Sequence, residues 1–246
     1  MNTFQKLAAA GLFAAAALAV TTPAGAITTF SQYFEISGQN ANIRWVKNGA
    51  DGELFTISSP GSLVAGSTTV DFTFLQGPLT PSPIAATFTF DAKEIGQPTL
   101  DDGFGDLTQP GLTGGFSLIS LGAFTFDGHP YAAGTDLLTA TFDKARITGV
   151  TGSSAGGVSA STGSGSMITY ISDVLAFGKD KDFALTLTQV TKAFGYVKTK
   201  ALNDFTAAST GSFSASAVPE PATWGLMITG FGMMGVMARR RRAAAT

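Results

Sequence analysis

The sequence predicts an all-β, antiparallel fold, and three observations carry that prediction. Short runs rich in Thr, Phe, Val and Ile alternate with clusters of Gly, Pro, Asn and Asp, which is the pattern of strands joined by turns. Residues 70–74 and 184–188 alternate between apolar and polar side chains, with Ala184 as the one exception. Because successive side chains of a strand point to opposite faces, this alternation indicates antiparallel sheets with one buried and one solvated face. Between the two chain ends, no stretch sustains the 3.6-residue apolar period of a helix.

The first 26 residues predict a cleavable signal peptide. Lys6 precedes an uncharged apolar run over residues 7–20, which is short for a spanning helix. Ala24 and Ala26 are the small residues that a signal peptidase accepts, so we expect a signal helix with the cut after Ala26. An uncleaved anchor is the less favoured alternative. Either way, the residues that follow are expected outside the inner membrane.

Residues 27–217 predict one β-rich ectodomain. The expected strands lie near residues 29–37, 42–47, 54–58, 69–75, 85–90, 115–126, 136–147, 167–176, 183–191 and 205–216. So many short strands favour a β-sandwich of the jelly-roll or immunoglobulin-like kind. Residues 149–166 are nearly all Gly, Ser, Thr and Ala, which bury little area, and they predict a long surface loop within the ectodomain.

Composition excludes several classes of chemistry and partner. The chain has no cysteine, which removes disulfides, thiolate metal sites, a lipoprotein anchor and thiol catalysis. Residues 27–217 carry 16 acidic and 10 basic side chains, a net charge of −6. An acidic domain repels polyphosphate, so no nucleic acid partner is expected.

Three carboxylates in one Gly-containing loop, Asp101, Asp102 and Asp106, are weak candidates for a metal site. Oxygen-rich flexible loops suit Ca²⁺ outside cells. The twelfth position from Asp101 is Leu112, where an EF-hand loop would place its closing carboxylate. A solvated turn is therefore favoured over a calcium site, and we expect no cofactor.

The sequence shows no catalytic constellation. His129, the only histidine, follows Asp127 and Gly128 in a context that predicts a tight turn. The Ser164 region lacks the strand-to-helix elbow of a serine hydrolase. Only two carboxylates are needed to hydrolyse a glycosidic bond, and the ectodomain offers three glutamates. These are Glu35, Glu53 and Glu94.

Aromatic side chains leave a carbohydrate-binding alternative open. Exposed rings stack on sugars, although aromatic residues in strands more often belong to the core. The residues in question are Tyr33, Trp45, Tyr131, Tyr170 and Tyr196.

The C-terminal segment predicts a single transmembrane helix. Residues 222–238 carry no charge and reach about 25 Å as a helix, the lower limit for a span. The cluster Arg239, Arg240, Arg241 and Arg242 follows directly, and positive residues stay on the cytoplasmic side. Trp224 would lie at the opposite interface, so the ectodomain faces outward.

Pro219, Glu220 and Pro221 precede this span and form a stiff, extended segment that suits recognition by a protease. Together with Trp224, the Gly-rich span and the arginine cluster, they resemble the PEP-CTERM sorting signal in its variant with Trp three residues after the second Pro. The other matching positions are Met227, Ile228, Gly230, Phe231, Gly232 and Gly235. Gly225 departs from the usual Ala after the Trp.

The resemblance covers residues 218–246 and implies handling by an exosortase in a Gram-negative bacterium that makes exopolysaccharide and biofilm. We expect a secreted, non-enzymatic protein of the cell surface, outer membrane or extracellular matrix. Its expected partners are signal peptidase, exosortase, the inner membrane in transit, and exopolysaccharide. The alternatives are a carbohydrate-binding module for that exopolysaccharide and, less favoured, a secreted glycoside hydrolase.

Overall fold

The computed structural model describes residues 27–36, 41–75 and 82–216, together with residues 229 and 231. This part of the chain contains fourteen strands and one short 3-10 turn, Thr162–Ser164. The strands are β1 (Ile27–Glu35), β2 (Ile43–Asn48), β3 (Asp51–Thr56), β4 (Thr68–Phe74), β5 (Ile84–Glu94), β6 (Leu100–Asp101), β7 (Asp106–Ser120), β8 (Phe124–Phe126), β9 (His129–Tyr131), β10 (Asp136–Val150), β11 (Gly156–Ser161), β12 (Ile168–Ile171), β13 (Lys181–Thr191) and β14 (Phe205–Ser216).

Eight of these strands form a sheet that closes on itself through antiparallel pairs. The order around the ring is β1, β4, β5, β7, β10, β11, β13, β14 and back to β1. The hairpin of β2 and β3 fills the remaining space between β14 and β5, because β2 pairs with residues 205–207 and β3 with residues 91–94. The predicted all-β, antiparallel architecture is confirmed. The finer assignment to a jelly-roll or immunoglobulin-like sandwich stays a prediction.

The core lies inside the closed sheet and is built from aromatic rings. Phe116 on β7 is its centre, with ring centroids of five other phenylalanines 5.0–6.4 Å away. The five are Phe88, Phe90, Phe142, Phe183 and Phe213. Alternation positions these side chains: on β5, for example, residues 86, 88, 90 and 92 are all buried. The alternating patterns seen in the sequence therefore predict the inward faces correctly.

The predicted loop over residues 149–166 is wrong for residues 156–161, which form β11. This strand pairs with β10 on one side and β13 on the other, and it buries Val158 and Ala160. The phenyl ring of Phe194 packs against Gly149 and Gly156 so closely that an added Cβ would lie 2.8 Å and 2.5 Å from it. Small residues form a central strand here because a neighbouring aromatic ring supplies the apolar surface that they lack.

Several other strand bounds differ from the expected ones, and two of these differences are the largest. The strand expected near residues 115–126 begins at Asp106 and ends at Ser120, with β8 following as a separate strand. The strand expected near residues 167–176 ends at Ile171, after which the Ser172 hydroxyl accepts hydrogen bonds from the backbone N–H groups of Val174 and Leu175. That local turn competes with continued pairing.

Both membrane segments that the sequence predicts, the signal helix within residues 1–26 and the span over residues 222–238, lie outside the described residues apart from residues 229 and 231. Across residues 27–36, 41–75 and 82–216, no helix is long and apolar enough to cross a membrane.

Candidate functional site

The two ends of the ectodomain lie side by side in one strand pair. Ile27, the first residue of β1, pairs with Ser216, the last residue of β14, and Thr28 pairs with Ala215. The predicted signal-peptidase residues Ala24 and Ala26 come immediately before this pair and lie outside the described residues. Segments leading to both predicted processing points therefore leave the fold from the same end of the sheet.

The tail residues that carry the sorting resemblance also lie outside the described residues, except Phe231. Ala217 and Val218 separate Ser216 from the first of them. The residues meant are Pro219, Glu220, Pro221, Trp224, Arg239, Arg240, Arg241 and Arg242.

The carboxylates of Asp101 and Asp102 hold their own loop in shape. Asp101 Oδ1 accepts the N–H of Gly103 at 2.8 Å, and Asp102 Oδ1 accepts the N–H groups of Phe104 and Asp106 at 2.8 and 3.1 Å. These are side-chain turns of the kind that Asp forms with nearby backbone. Asp101 Oδ2 accepts the hydroxyl of Tyr196 at 2.9 Å, which ties the loop to the segment after β13.

Hydrogen bonds alone account for the shape of this loop. Hydrogen bonds from the Gly103 N–H and the Tyr196 hydroxyl lower the pKa of Asp101. Within the described ranges, no group of three or more His, Cys, Asp or Glu side chains is placed to hold a metal ion. The favoured reading of Asp101, Asp102 and Asp106 as a turn agrees with this geometry, and the calcium alternative stays a prediction.

His129 lies where the sequence predicts a tight turn. It begins β9 and pairs with Phe126 across the two-residue loop of Asp127 and Gly128. Both loop residues have positive φ, 49° and 76°, as a type I′ hairpin turn requires. The His129 side chain is exposed.

The three glutamates differ in environment. Glu35 lies on β1, whereas Glu53 and Glu94, on the paired strands β3 and β5, border a cavity of about 530 Å³. Glu53 forms an ion pair with Lys93 at 3.3 Å. Glu94 is only 1% exposed, and its Oε2 is fully shielded from solvent. A glycosidase needs two carboxyl groups open to one substrate, and this pair offers one neutralised and one shielded group.

Burial makes Glu94 a source of pH-dependent stability. Desolvation raises the pKa of Glu94. The hydrogen bond that Oε1 accepts from the Gln97 N–H lowers the pKa by a smaller amount. Oε2 has no hydrogen-bond partner among the described residues. The folded state therefore holds this proton more tightly than the unfolded state, and stability falls as pH rises from the unfolded value near 4.5 through the folded pKa.

We expect Glu94→Gln to remove this dependence. The stability of the unsubstituted chain relative to the variant should fall as the pH rises from about 4 to 7. Urea unfolding at several pH values measures the difference. Glu53→Gln makes the same chemical change at the exposed partner of Lys93 and is the control. A constant difference between wild type and Glu94→Gln across this range would contradict the assignment.

Most of the candidate sugar-stacking aromatics belong to the core. Tyr33, Trp45 and Tyr170 are buried, and Tyr33 and Trp45 are fully enclosed. The Trp45 indole N–H donates to the carbonyl of Leu202 at 3.0 Å. Tyr131 and Tyr196 remain half-exposed. The sequence-based preference for a core role is confirmed for the three buried rings.

Comparison with known proteins identifies the C-terminal tail. The PEP-CTERM protein-sorting motif matches residues 217–242, beginning directly after the last residue of β14. No curated protein and no solved structure matches the chain. The motif indicates an exported protein that an exosortase processes and that is sorted to the cell envelope or surface. By this match, the chain carries a PEP-CTERM protein-sorting motif at residues 217–242, in its C-terminal segment.

Proposed function

We propose that this chain is a non-enzymatic protein of the cell surface or extracellular matrix, associated with the exopolysaccharide and biofilm of a Gram-negative bacterium. The observation that carries the proposal is the sorting motif at residues 217–242, which starts one residue after the sheet ends. A closed sheet with an aromatic core supports a role outside the cell, since it supplies stability without disulfides.

The pairing of Ile27 with Ser216 supports processing at both ends without damage to the fold. A cut after Ala26 and a cut near Pro219, Glu220 and Pro221 would each fall outside the paired strands. The product would keep every strand that closes the sheet.

The intact mass of the protein from the cell surface and medium of its native host tests this proposal. With the exosortase present, we expect a species that begins at Ile27 and ends near residues 219–221. Without the exosortase, the species should retain Arg239 to Arg242 and stay in the membrane fraction. A full-length species in both strains would contradict exosortase processing.

Carbohydrate binding is the second candidate function, with exopolysaccharide as the ligand. A cavity whose basic side chains form no ion pair with any described residue favours it over a purely structural role. A glycan array would separate the two, since a purely structural protein would bind no glycan on the array.

A further inference from the structure

A cavity of about 210 Å³ lies where β2, β13 and the start of β14 meet. The polar side chains in its wall come from Arg44, Thr191, Lys192, Asp204 and Thr206, and we call it the Arg44 pocket. Pockets for drug-sized ligands measure roughly 300–1,000 Å³, so this one suits a single small unit. It lies at the opposite end of β14 from Ser216, where the sorting motif begins.

Arg44 is one of only two arginines between residues 27 and 217. Its Nη1 donates to the carbonyl of Ser62 at 3.2 Å, which fixes the guanidinium in place. Its Nε is shielded from solvent and has no acceptor among the described residues. A buried donor without an acceptor is costly, and the planar guanidinium is suited to a carboxylate.

Lys192 brings a second positive charge to the same wall. It follows a register shift between Thr188 and Thr191 where β13 pairs with β14, and its backbone lies in the left-handed region, with φ of 63°. Gln189 and Ala193 also have positive φ. Such strained residues and strand irregularities concentrate at functional sites.

Neither cation is neutralised within the fold. In the described part of the chain, the single ion pair joins Lys93 to Glu53, so Arg44 and Lys192 lack a carboxylate partner there. Asp204 is the one acidic side chain among the described residues of the wall, and its Oδ1 accepts the N–H of Lys47 at 2.7 Å. Two cations and one carboxylate leave the pocket positive on a domain that is negative overall.

This combination selects a ligand with both a carboxylate and hydroxyl groups. Because Nε is closed to solvent, the carboxylate would accept hydrogen bonds from the terminal Nη groups of Arg44 and would pair with the charge of Lys192. The ligand's hydroxyls would donate to Asp204 Oδ2, which accepts no hydrogen bond from the described residues. A phosphate ion carries more negative charge than a uronate at neutral pH and has no sugar-ring hydroxyls, so Asp204 repels it more strongly and compensates less through hydrogen bonds.

We propose that the Arg44 pocket binds the uronate unit of an acidic polysaccharide. The proposal deepens the carbohydrate-binding form of the proposed function and rests on it. It does not depend on exosortase processing, because the pocket lies entirely within the sheet and its connections.

Calorimetric titration of the full-length chain in neutral detergent tests the proposal, with de-esterified oligogalacturonate as the probe. The methyl-esterified oligomer keeps the ring hydroxyls and loses the charge, so it should bind at least about tenfold more weakly. Inorganic phosphate separates recognition of a uronate from general anion binding and should also bind at least about tenfold more weakly.

Two variants locate the site. Arg44→Gln and Lys192→Gln should each weaken binding of the acidic oligomer about tenfold or more. Lys192→Gln removes no hydrogen bond within the described residues, so it tests the site even where Arg44→Gln lowers stability. Arg146→Gln removes the other arginine of the ectodomain, on the exposed face of β10, and should bind as the unsubstituted chain does.

Several results would overturn the proposal. One is no binding of the acidic oligomer by the unsubstituted chain, and another is equal binding of its methyl ester or of phosphate. A third is full binding by Lys192→Gln. Each of these leaves the mass of the processed protein unchanged, so failure here is distinct from failure of the sorting proposal.

Discussion

A fluorophore at Leu121→Cys in the unprocessed chain should transfer energy to acceptor lipids several-fold more efficiently than one at Phe104→Cys. Leu121 follows the last residue of β7, and its N–H donates to the carbonyl of Ala85 near the start of β5. This end of β7 lies at the same end of the sheet as Ser216. Phe104 lies two residues before β7 begins. The fifteen residues of β7 would measure about 50 Å at full extension, and the two probes lie beyond opposite ends of this strand.

The tether explains why the Leu121 end should face the membrane. Residues 217–221 join Ser216 to the predicted span over residues 222–238, and five extended residues reach at most about 18 Å. That reach is shorter than the fold, so the end from which both chain segments leave stays close to the lipid. The Arg44 pocket, at the other end of β14, would then face outward.

The chain suits this measurement because it has no cysteine of its own. Both substituted positions are exposed, Leu121 by 51% and Phe104 by 95%, so labelling should not disturb the core. The experiment uses cells or vesicles without exosortase, where the tail is retained. Equal transfer from the two positions would contradict the orientation, whereas loss of the chain from the membrane would contradict the span itself.

The local pattern was enough to predict the strands because buried and exposed side chains alternate along them. On β13, for instance, Phe183, Leu185 and Leu187 are buried, whereas the intervening Ala184 and Thr186 are exposed. The sequence could not predict closure of the sheet, since the pair that joins β1 to β14 links residues nearly the whole ectodomain apart. Such pairing depends on strand order, which single-strand patterns do not encode.

β11 shows a second limit of sequence reasoning. Its Gly and Ser residues carry no apolar signal of their own, and the ring that covers them, Phe194, comes more than thirty residues later. The Arg44 pocket was missed for a similar reason. Arg44 and Lys192 stand on β2 and just after β13, and only the register of β2, β14 and β13 brings them to one cavity.

The sorting tail was predictable for the opposite reason. The tail is one short continuous segment that contains the two prolines, the tryptophan, the uncharged span and the arginine cluster, so no tertiary arrangement is needed to recognise it. The family match covers the same residues. A signal made of contiguous residues can be recognised from the sequence alone, whereas a site formed by residues of distant strands cannot.

Phe116→Ala should cause a large loss of stability. Its ring packs against five other phenylalanine rings from β5, β10, β13 and β14. Truncation therefore leaves a cavity that could close only if several strands moved. Removing a buried phenylalanine side chain costs about 3–5 kcal/mol of unfolding free energy. For a domain of this size that is a fall of roughly 6–20 °C in the unfolding midpoint, measured by circular dichroism.

Phe34→Ala is the matched control, since it makes the same chemical change on β1 at a side chain that is 47% exposed. Surface substitutions of this kind usually change stability by about 0.5 kcal/mol or less. Similar losses for the two variants would mean that the aromatic cluster does not hold the sheet closed. A large loss for Phe116→Ala alone would mean that packing of the inward-facing aromatic rings stabilises this cysteine-free exported domain.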